Sequence, residues 1–296
     1  MGVTREALPW FPESAFFAEP VARNTAACIG WASALIKRRD PEALIAALPS
    51  DQLMDDEPGF RTAMQQALTI AESGTIVTMG IQPNRPETGY GYIEVGSELS
   101  PGVSRVQRFV EKPTREVAEG YLASGNYLWN AGMFFFRAQS MLDAIAEHMP
   151  KLAEGIERIE SAARRGEQAE RAETVAVFQD LESISIDYGI MEKVRDLAVI
   201  PADVGWSDLG SWHTVWELGQ KDTLGNVVPD GAVLVDAHNN LIENLRTTGG
   251  KRIVALVGVH DLCVVDTDDA LLIIPRERCQ DVREIVDALK RRGDPV

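Results

Sequence analysis

An α/β domain followed by a small β-rich unit is the architecture this sequence predicts, on three observations. Segments of helical period alternate with short, continuous apolar runs through most of the chain. Near Leu224 the composition changes to turns and short strands. At 296 residues there is enough chain for a large domain and a small one. The expected domains are therefore 1–224 and 225–296.

In chain order, EPVARNTAA at 19–27 is a proline-punctuated turn that runs into the apolar-periodic AACIGWASALI. A helix should span Thr25 to about Arg38, with Thr25 or Asn24 as N-cap. Its first-turn N–H groups are either capped in the ordinary way or turned towards an anionic ligand. ALIAALP at 43–49 has the continuous apolar pattern of a buried strand in a parallel sheet. Gly59 to Ser73 returns to helical spacing, with Phe60, Met64, Ala67 and Ala71 on one face, and TIVTMGI at 75–81 is the next buried strand. A loop-and-strand region, QPNRPETGYGYIEVG, leads to SRVQRFVEKP, a helix from Thr114 to Ser124 and the strand YLWNAGMFFFRA. The charged, alanine-rich stretch from Leu152 to Leu181 reads as helix with a solvated face. ISIDYGIMEK, the strand LAVIPA and DVGWSDLGSWHTVWEL complete the large unit. Beyond it AVLVDA, NNL, RIVALVG and the hairpin LCVVDTDDALLIIP are short strands without an internal repeat. RCQDVREIVDALKRR closes the chain as a helix whose basic last turn suits the helix dipole.

Charge narrows the partners. With 45 acidic against 29 basic residues the net charge is -16, which disfavours a nucleic-acid backbone or an anionic membrane. A small phosphorylated ligand stays compatible, since a local lysine and a metal ion outweigh a distant acidic surface. Cys28, Cys263 and Cys279 are scattered and follow no metal-ligand spacing, so they read as reduced, cytosolic thiols. MGVTREALPWFPE lacks the apolar run of a secretory signal, Glu6 stands where a myristoylation motif needs Ser or Thr, and no segment has the length and apolarity to span a bilayer. The expected setting is cytoplasmic.

Several residues are placed to do chemistry. Asp51, in PSDQ, follows an apolar strand directly, at the sheet edge where open α/β sheets bind ligands; it is also an ordinary turn residue. Asp208, in WSDLGSW, lies between tryptophans and is either a helix cap or a ligand. One carboxylate is a poor magnesium site, but two from separate loops, completed by phosphate oxygens and water, are a normal one. FVEKP at 109–113 sets Glu111 beside Lys112, an exposed ion pair or a sugar-phosphate contact. Neighbouring strand residues face opposite ways, so both reach one ligand only if the chain bends there. PETGYGY at 86–92 brings Gly91 into a loop where backbone can approach a ligand, and WNAGMFFF sets Asn130 at the edge of a greasy strand.

Taken in order, EPVARNTAA, LPSDQ, TMGIQPNRPETGYGYIE, FVEKP, YLWNAGMFFF, SIDYGIMEK and GWSDLGSW closely resemble the mannose-1-phosphate guanylyltransferases, and GNVV with DDALLIIPRERCQDV resembles that family's small C-terminal portion. The resemblance covers nearly the whole chain. It implies a nucleotide-diphosphosugar transferase fold, a Rossmann-like mixed sheet flanked by helices, and a reaction of GTP with mannose 1-phosphate that releases pyrophosphate. It implies Asp51 and Asp208 as magnesium ligands and Lys112 as the clamp on the sugar phosphate. Glu111, Asn130 and the Gly91 backbone would hold mannose, with Arg23 and Asn24 near the nucleotide. The small domain would pack on its own large domain or on that of a second copy, in a homodimer.

The family also opens with a strand and a glycine-rich loop of the form GGxGxRLxPLS, and no such loop precedes Glu19. The nucleotidyltransferase domain is thus expected to be incomplete at its N-terminus, with a sheet edge left open and fewer donors for a triphosphate. Two function classes follow: a guanylyltransferase whose missing piece lies upstream or is supplied separately, and a non-catalytic sugar-nucleotide binder. A transferase for another hexose 1-phosphate is a further enzymatic reading.

Overall fold

The computed structural model describes residues 2–250 and 252–293. Its contacts divide the chain into two compact units, Met1–Ser50 with Met54–Trp206, and Asp51–Leu53 with Ser207–Val296. The main division therefore falls after Trp206, whereas the change in composition lies near Leu224.

The first unit carries α1 (Gly2–Ala7), α2 (Asn24–Arg39), β1 (Leu44–Ala47), α3 (Glu57–Ala71), β2 (Ile76–Ile81), β3 (Tyr92–Ser100) and β4 (Val103–Val110). It continues with α4 (Arg115–Ser124), β5 (Tyr127–Arg137), α5 (Ala138–His148), α6 (Pro150–Ala163), α7 (Glu167–Asp180), a π-turn at Asp187–Met191 and β6 (Leu197–Ala202). The strands form one six-stranded sheet in the order β1-β5-β2-β6-β4-β3, with β3 also pairing β5. It is mixed, as the resemblance implies: β2 and β6 run parallel, and the remaining pairs are antiparallel.

Alternation along the strands sends side chains to two cores. Leu128, Phe134 and Phe136 of β5, with Leu197 and Val199 of β6, pack on one face against Ile145, Ile156 and Phe178. Met133 and Phe135, with Ala198 and Ile200, pack on the other against Ala67 and Ala71 of α3. This is the layered α/β arrangement the sequence predicts. One expectation needs correction. β1 is not a buried strand of a parallel sheet: it pairs antiparallel with β5, ends the sheet order and is only half buried. A continuous apolar run reports two apolar faces, and says nothing of a neighbour's direction or of whether both edges are paired. The stretch after Leu152 is helical with a solvated face, as read: α6 buries Leu152, Ile156, Ile159 and Ala162 on one side and leaves Glu154, Glu157 and Arg158 exposed.

β1 and β3 share one edge of β5. Phe135 pairs with Ala46 on that edge and with Val77 of β2 on the other, and Trp129 pairs with Tyr92 and Ile81 in the same way. Between them the β2–β5 register shifts, with Thr78 opposite Phe134 but Gly80 opposite Asn130. This bulge contains Gly132 at φ 70°. A bulge re-aims side chains and leaves a strand locally unpaired. The carboxyl end of β1, at Ala47 opposite Phe134, opens on the same interruption.

The second unit is built from α8 (Trp212–Leu218), β7 (Val233–Val235), β8 (Leu241–Asn244), β9 (Ala255–Val257), β10 (Leu262–Asp266), β11 (Leu271–Pro275) and α9 (Val282–Arg292). The hairpin expected in LCVVDTDDALLIIP is β10–β11. Hidden from the sequence is a repeat of backbone register: 233 pairs with 255, 238 with 260 and 241 with 263, a constant step of 22 in parallel. Successive coils of chain therefore stack. Two buried asparagines tie them: Asn226 Oδ1 accepts from Asn240 N–H at 2.9 Å and Asn240 Nδ2 at 3.0 Å, while Asn240 Oδ1 accepts from Leu262 N–H at 3.0 Å. Asn240→Ala strands these buried partners, so the unit should lose about 1–3 kcal/mol, read as a lower unfolding midpoint in urea; an unchanged midpoint would remove the ladder's role.

Candidate functional site

In the first unit four chain segments meet around Glu111. β4 ends at Val110, and the chain then turns sharply: Lys112 adopts φ 48°, and its N–H donates to Tyr90 O at 3.2 Å. That bend answers the condition set by strand geometry. Both side chains now face one space, with Lys112 Nζ 3.1 Å from Glu111 Oε1. The lysine remains more than half exposed while the glutamate side chain is 9% exposed.

Glu111 Oε2 is buried and has no hydrogen-bond partner. Burial, and after it the neighbouring Asp187 carboxylate, holds this carboxyl above the ordinary carboxylate range; Lys112 pulls the other way. Gly91 closes the opposite side, since a Cβ there would lie 2.5 Å from Glu111 Oε2 and 3.2 Å from Asn130 Cβ. Its carbonyl accepts from Asn130 N–H at 2.8 Å, which fixes the loop to the bulge of β5. Next to it Tyr90 stands between Trp129 and Trp206, with ring centroids 5.2 and 5.4 Å away. Gly91, Glu111 and Lys112 thus border one niche that sets an acceptor beside a cation, with the aromatic rings packed next to it as a hydrophobic cluster.

Asn130 is buried at the bulge. Its Oδ1 accepts from Gly132 N–H at 3.1 Å and from Thr78 Oγ1 at 3.2 Å, and its Nδ2 donates to Asp187 Oδ1 at 2.9 Å. Asp187 and Glu192, whose Oε1 accepts from Glu111 N–H at 3.0 Å, come from the π-turn and the residue after it. Neither acid is among the sequence candidates. The available signal was one carboxylate inside the apolar run ISIDYGI, since an acid in such a run requires a partner.

EPVARNTAA serves this niche from behind. Arg23 donates to Phe178 O at 2.6 Å and to Gln179 O at 2.5 Å, and Asn24 Oδ1 accepts from Thr25 N–H at 2.8 Å. Thr25 Oγ1 accepts from Ile186 N–H at 2.8 Å, and Ala26 N–H donates to Ile184 O at 3.2 Å. The expected N-cap is corrected by one place: Arg23, not Asn24 or Thr25, holds the cap position of α2 without a side-chain cap bond, while the N–H groups of Thr25 and Ala26 are taken by protein acceptors. The side chains of Arg23 and Thr25 brace the chain that leads into Asp187, while that of Asn24 bonds only the next residue's N–H. A separate cavity of about 430 Å³ is lined by Ala27, Met149, Leu152, Val177 and Gly189 and holds none of the predicted residues.

Asp51 and Asp208 both belong to the second unit. An antiparallel bridge brings their segments side by side: Leu53 N–H donates to Ser207 O at 2.9 Å and Ser207 N–H to Leu53 O at 3.0 Å. Asp51 is exposed, and Asp208 Oδ1 accepts from Gly210 N–H at 3.1 Å. Two oxygen-only carboxylates on adjacent segments fit a hard divalent cation. Among the described residues no group of three or more His, Cys, Asp or Glu could hold a metal, so the pair needs further oxygens.

Residues 5–224 match the nucleotidyl transferase family and residues 230–289 the MannoseP isomerase/GMP-like beta-helix domain. A mannose-1-phosphate guanylyltransferase of Escherichia coli K12 is 41% identical over 282 residues, covering 93% of this chain and 58% of its own length. The chain belongs to the mannose-1-phosphate guanylyltransferase family. The xanthan biosynthesis protein XanB of Xanthomonas campestris is 40% identical over 280 residues, 95% of this chain and 58% of that protein. The chain thus spans somewhat over half the length of the curated relatives it matches. Among solved structures, one described as mannose-1-phosphate geranyltransferase from Thermus thermophilus superposes with TM-score 0.80 at 31% identity, covering 93% of this chain and 77% of that one. The stacked coils of the second unit are the feature its beta-helix match leads one to expect. Among the described residues no helix is long and apolar enough to cross a membrane.

Proposed function

We propose that the chain forms GDP-mannose and pyrophosphate from GTP and mannose 1-phosphate. The observation that carries this reading is the Glu111–Lys112 pair, a buried acceptor without a partner next to an exposed ammonium. Such a pair suits a ligand that bears hydroxyls and a phosphate. Sugar hydroxyls donate to Glu111 Oε2, the Asn130 amide and the Gly91 backbone complete the sugar contacts, and Lys112 offsets the phosphate charge.

The reaction needs positioning and charge compensation rather than a protein nucleophile. An oxygen of the sugar phosphate forms a bond to the α-phosphorus as the bond from that phosphorus to the bridging oxygen breaks, and pyrophosphate leaves with the electron pair. Lys112 weakens the repulsion between the two anions as they approach. Asp51 and Asp208 would hold magnesium, which when bound offsets the charge of the triphosphate. Arg23 enters through its bonds to Phe178 and Gln179, and Asn24 through its bond to the Thr25 N–H beside that brace.

The test is pyrophosphate release by the purified chain with magnesium, over a panel of nucleoside triphosphates and hexose 1-phosphates. GTP with mannose 1-phosphate should give the highest kcat/KM. Binding of mannose 1-phosphate without release from any pair would replace the reading by a sugar-nucleotide binder. A preference for another pair would reassign the substrates.

A further inference from the structure

The amide of Asn130 has a single permitted orientation. Gly132 N–H can only donate, so the atom facing it must be Oδ1, and the Thr78 hydroxyl meets the same oxygen. Nδ2 then faces Asp187 Oδ1, which accepts from it at 2.9 Å; burial raises the Asp187 carboxyl above the ordinary range, while this bond and Lys112 pull it back. One amide hydrogen is used there, and the second is left over. Beside it, Glu111 Oε2 is a buried acceptor with nothing to accept. One surplus donor and one surplus acceptor therefore border the niche.

We propose that Asp187 is a positioning residue that anchors the Asn130 amide nitrogen and holds its second hydrogen for a ligand, so that with Glu111 the site selects adjacent ligand hydroxyls of which one accepts and the other donates. The inference rests on the sugar-phosphate reading of this niche and assigns its hydroxyl selectivity to a residue outside the predicted set. Asp187 itself is carried on the π-turn, an element that recurs at functional sites. The brace through Thr25 and Ile186 holds that turn from behind.

Electrostatics supply an independent readout. The charged groups facing Glu111 are Asp187 from the π-turn, Lys112 beside it and Glu192; Asp187 in turn faces Lys112, the Asn130 amide and Ser185. Asp187 stabilises protonated Glu111 by like charge. Removing that charge should let Glu111 ionise at lower pH, which a purely packing role for Asp187 would not do.

The experiment compares wild type, Asp187→Asn and Asp187→Ala. Mannose 1-phosphate binding is measured by calorimetry, the Asn130 side-chain amide by ¹⁵N NMR and the Glu111 carboxyl by ¹³C NMR titration. Asp187→Asn keeps an acceptor for Nδ2, so it should hold the Asn130 amide as wild type does and bind within a few-fold, while the Glu111 midpoint falls. Asp187→Ala should lower that midpoint too, release the amide to rotate and weaken binding by about tenfold or more. An Asn130 amide that stays held in Asp187→Ala, or a Glu111 midpoint unmoved in both variants, overturns the proposal. If wild type binds no mannose 1-phosphate while the NMR changes occur, the sugar-phosphate reading fails and the Asp187 contact stands.

Discussion

Asp208→Asn and Asp51→Asn should each lower turnover with GTP and mannose 1-phosphate on the order of 10³-fold. If the pair holds magnesium, either change removes a charged ligand from an ion asked to supply several kcal/mol of transition-state stabilisation. Asparagine keeps the volume and one oxygen, so in Asp208→Asn the new side chain can still accept from Gly210 N–H and the turn should survive. The measurement is pyrophosphate release against magnesium concentration, with a melt by circular dichroism as control. The midpoint for magnesium should move upward in both variants at unchanged Tm. Equal turnover and equal magnesium dependence in wild type and variants would remove both residues from metal binding.

The second large effect is expected at Lys112. Lys112→Met retains the apolar stem and deletes the charge, and should reduce kcat/KM for mannose 1-phosphate about 10²–10³-fold, the cost of losing one preorganised electrostatic contact. It also removes the partner that opposes the upward shift of Glu111. Glu111 should then stay protonated to higher pH, and the acid limb of kcat/KM should shift upward. The sign is opposite to that expected for Asp187→Asn, where the neighbour removed is an anion. A loss of activity without any movement of the limb would mean that Lys112 and Glu111 do not act in one space.

What the sequence disclosed here follows the range of the interactions involved. Helices such as α2 and α3 were legible because apolar spacing is local, and Phe60, Met64, Ala67 and Ala71 do line the sheet-facing side of α3, although Arg23 rather than Asn24 or Thr25 holds the N-cap of α2. The direction and edge position of β1 were not, because they depend on β5, far along the chain. Glu111 and Lys112 were visible as a pair, but their shared orientation rests on the turn at Lys112, and no spacing rule encodes a positive φ for lysine. Asp187 was hidden because its partner Asn130 lies 57 positions away. The asparagine ladder of the second unit escaped for a different reason: its coils repeat in backbone register while their side chains do not repeat as a motif.

The brace between α2 and the π-turn has a consequence for the order of assembly. Thr25 and Ile186 are 161 positions apart, and Arg23 reaches Phe178 over 155. Contacts of such sequence separation carry a large closure entropy and are late events in folding. On a ribosome the early segment must wait, with its donors and acceptors open to water, until the chain beyond Ile186 has emerged. The residues around Glu111 and Asn130 are thus backed by contacts that can close only once the chain beyond Ile186 is available.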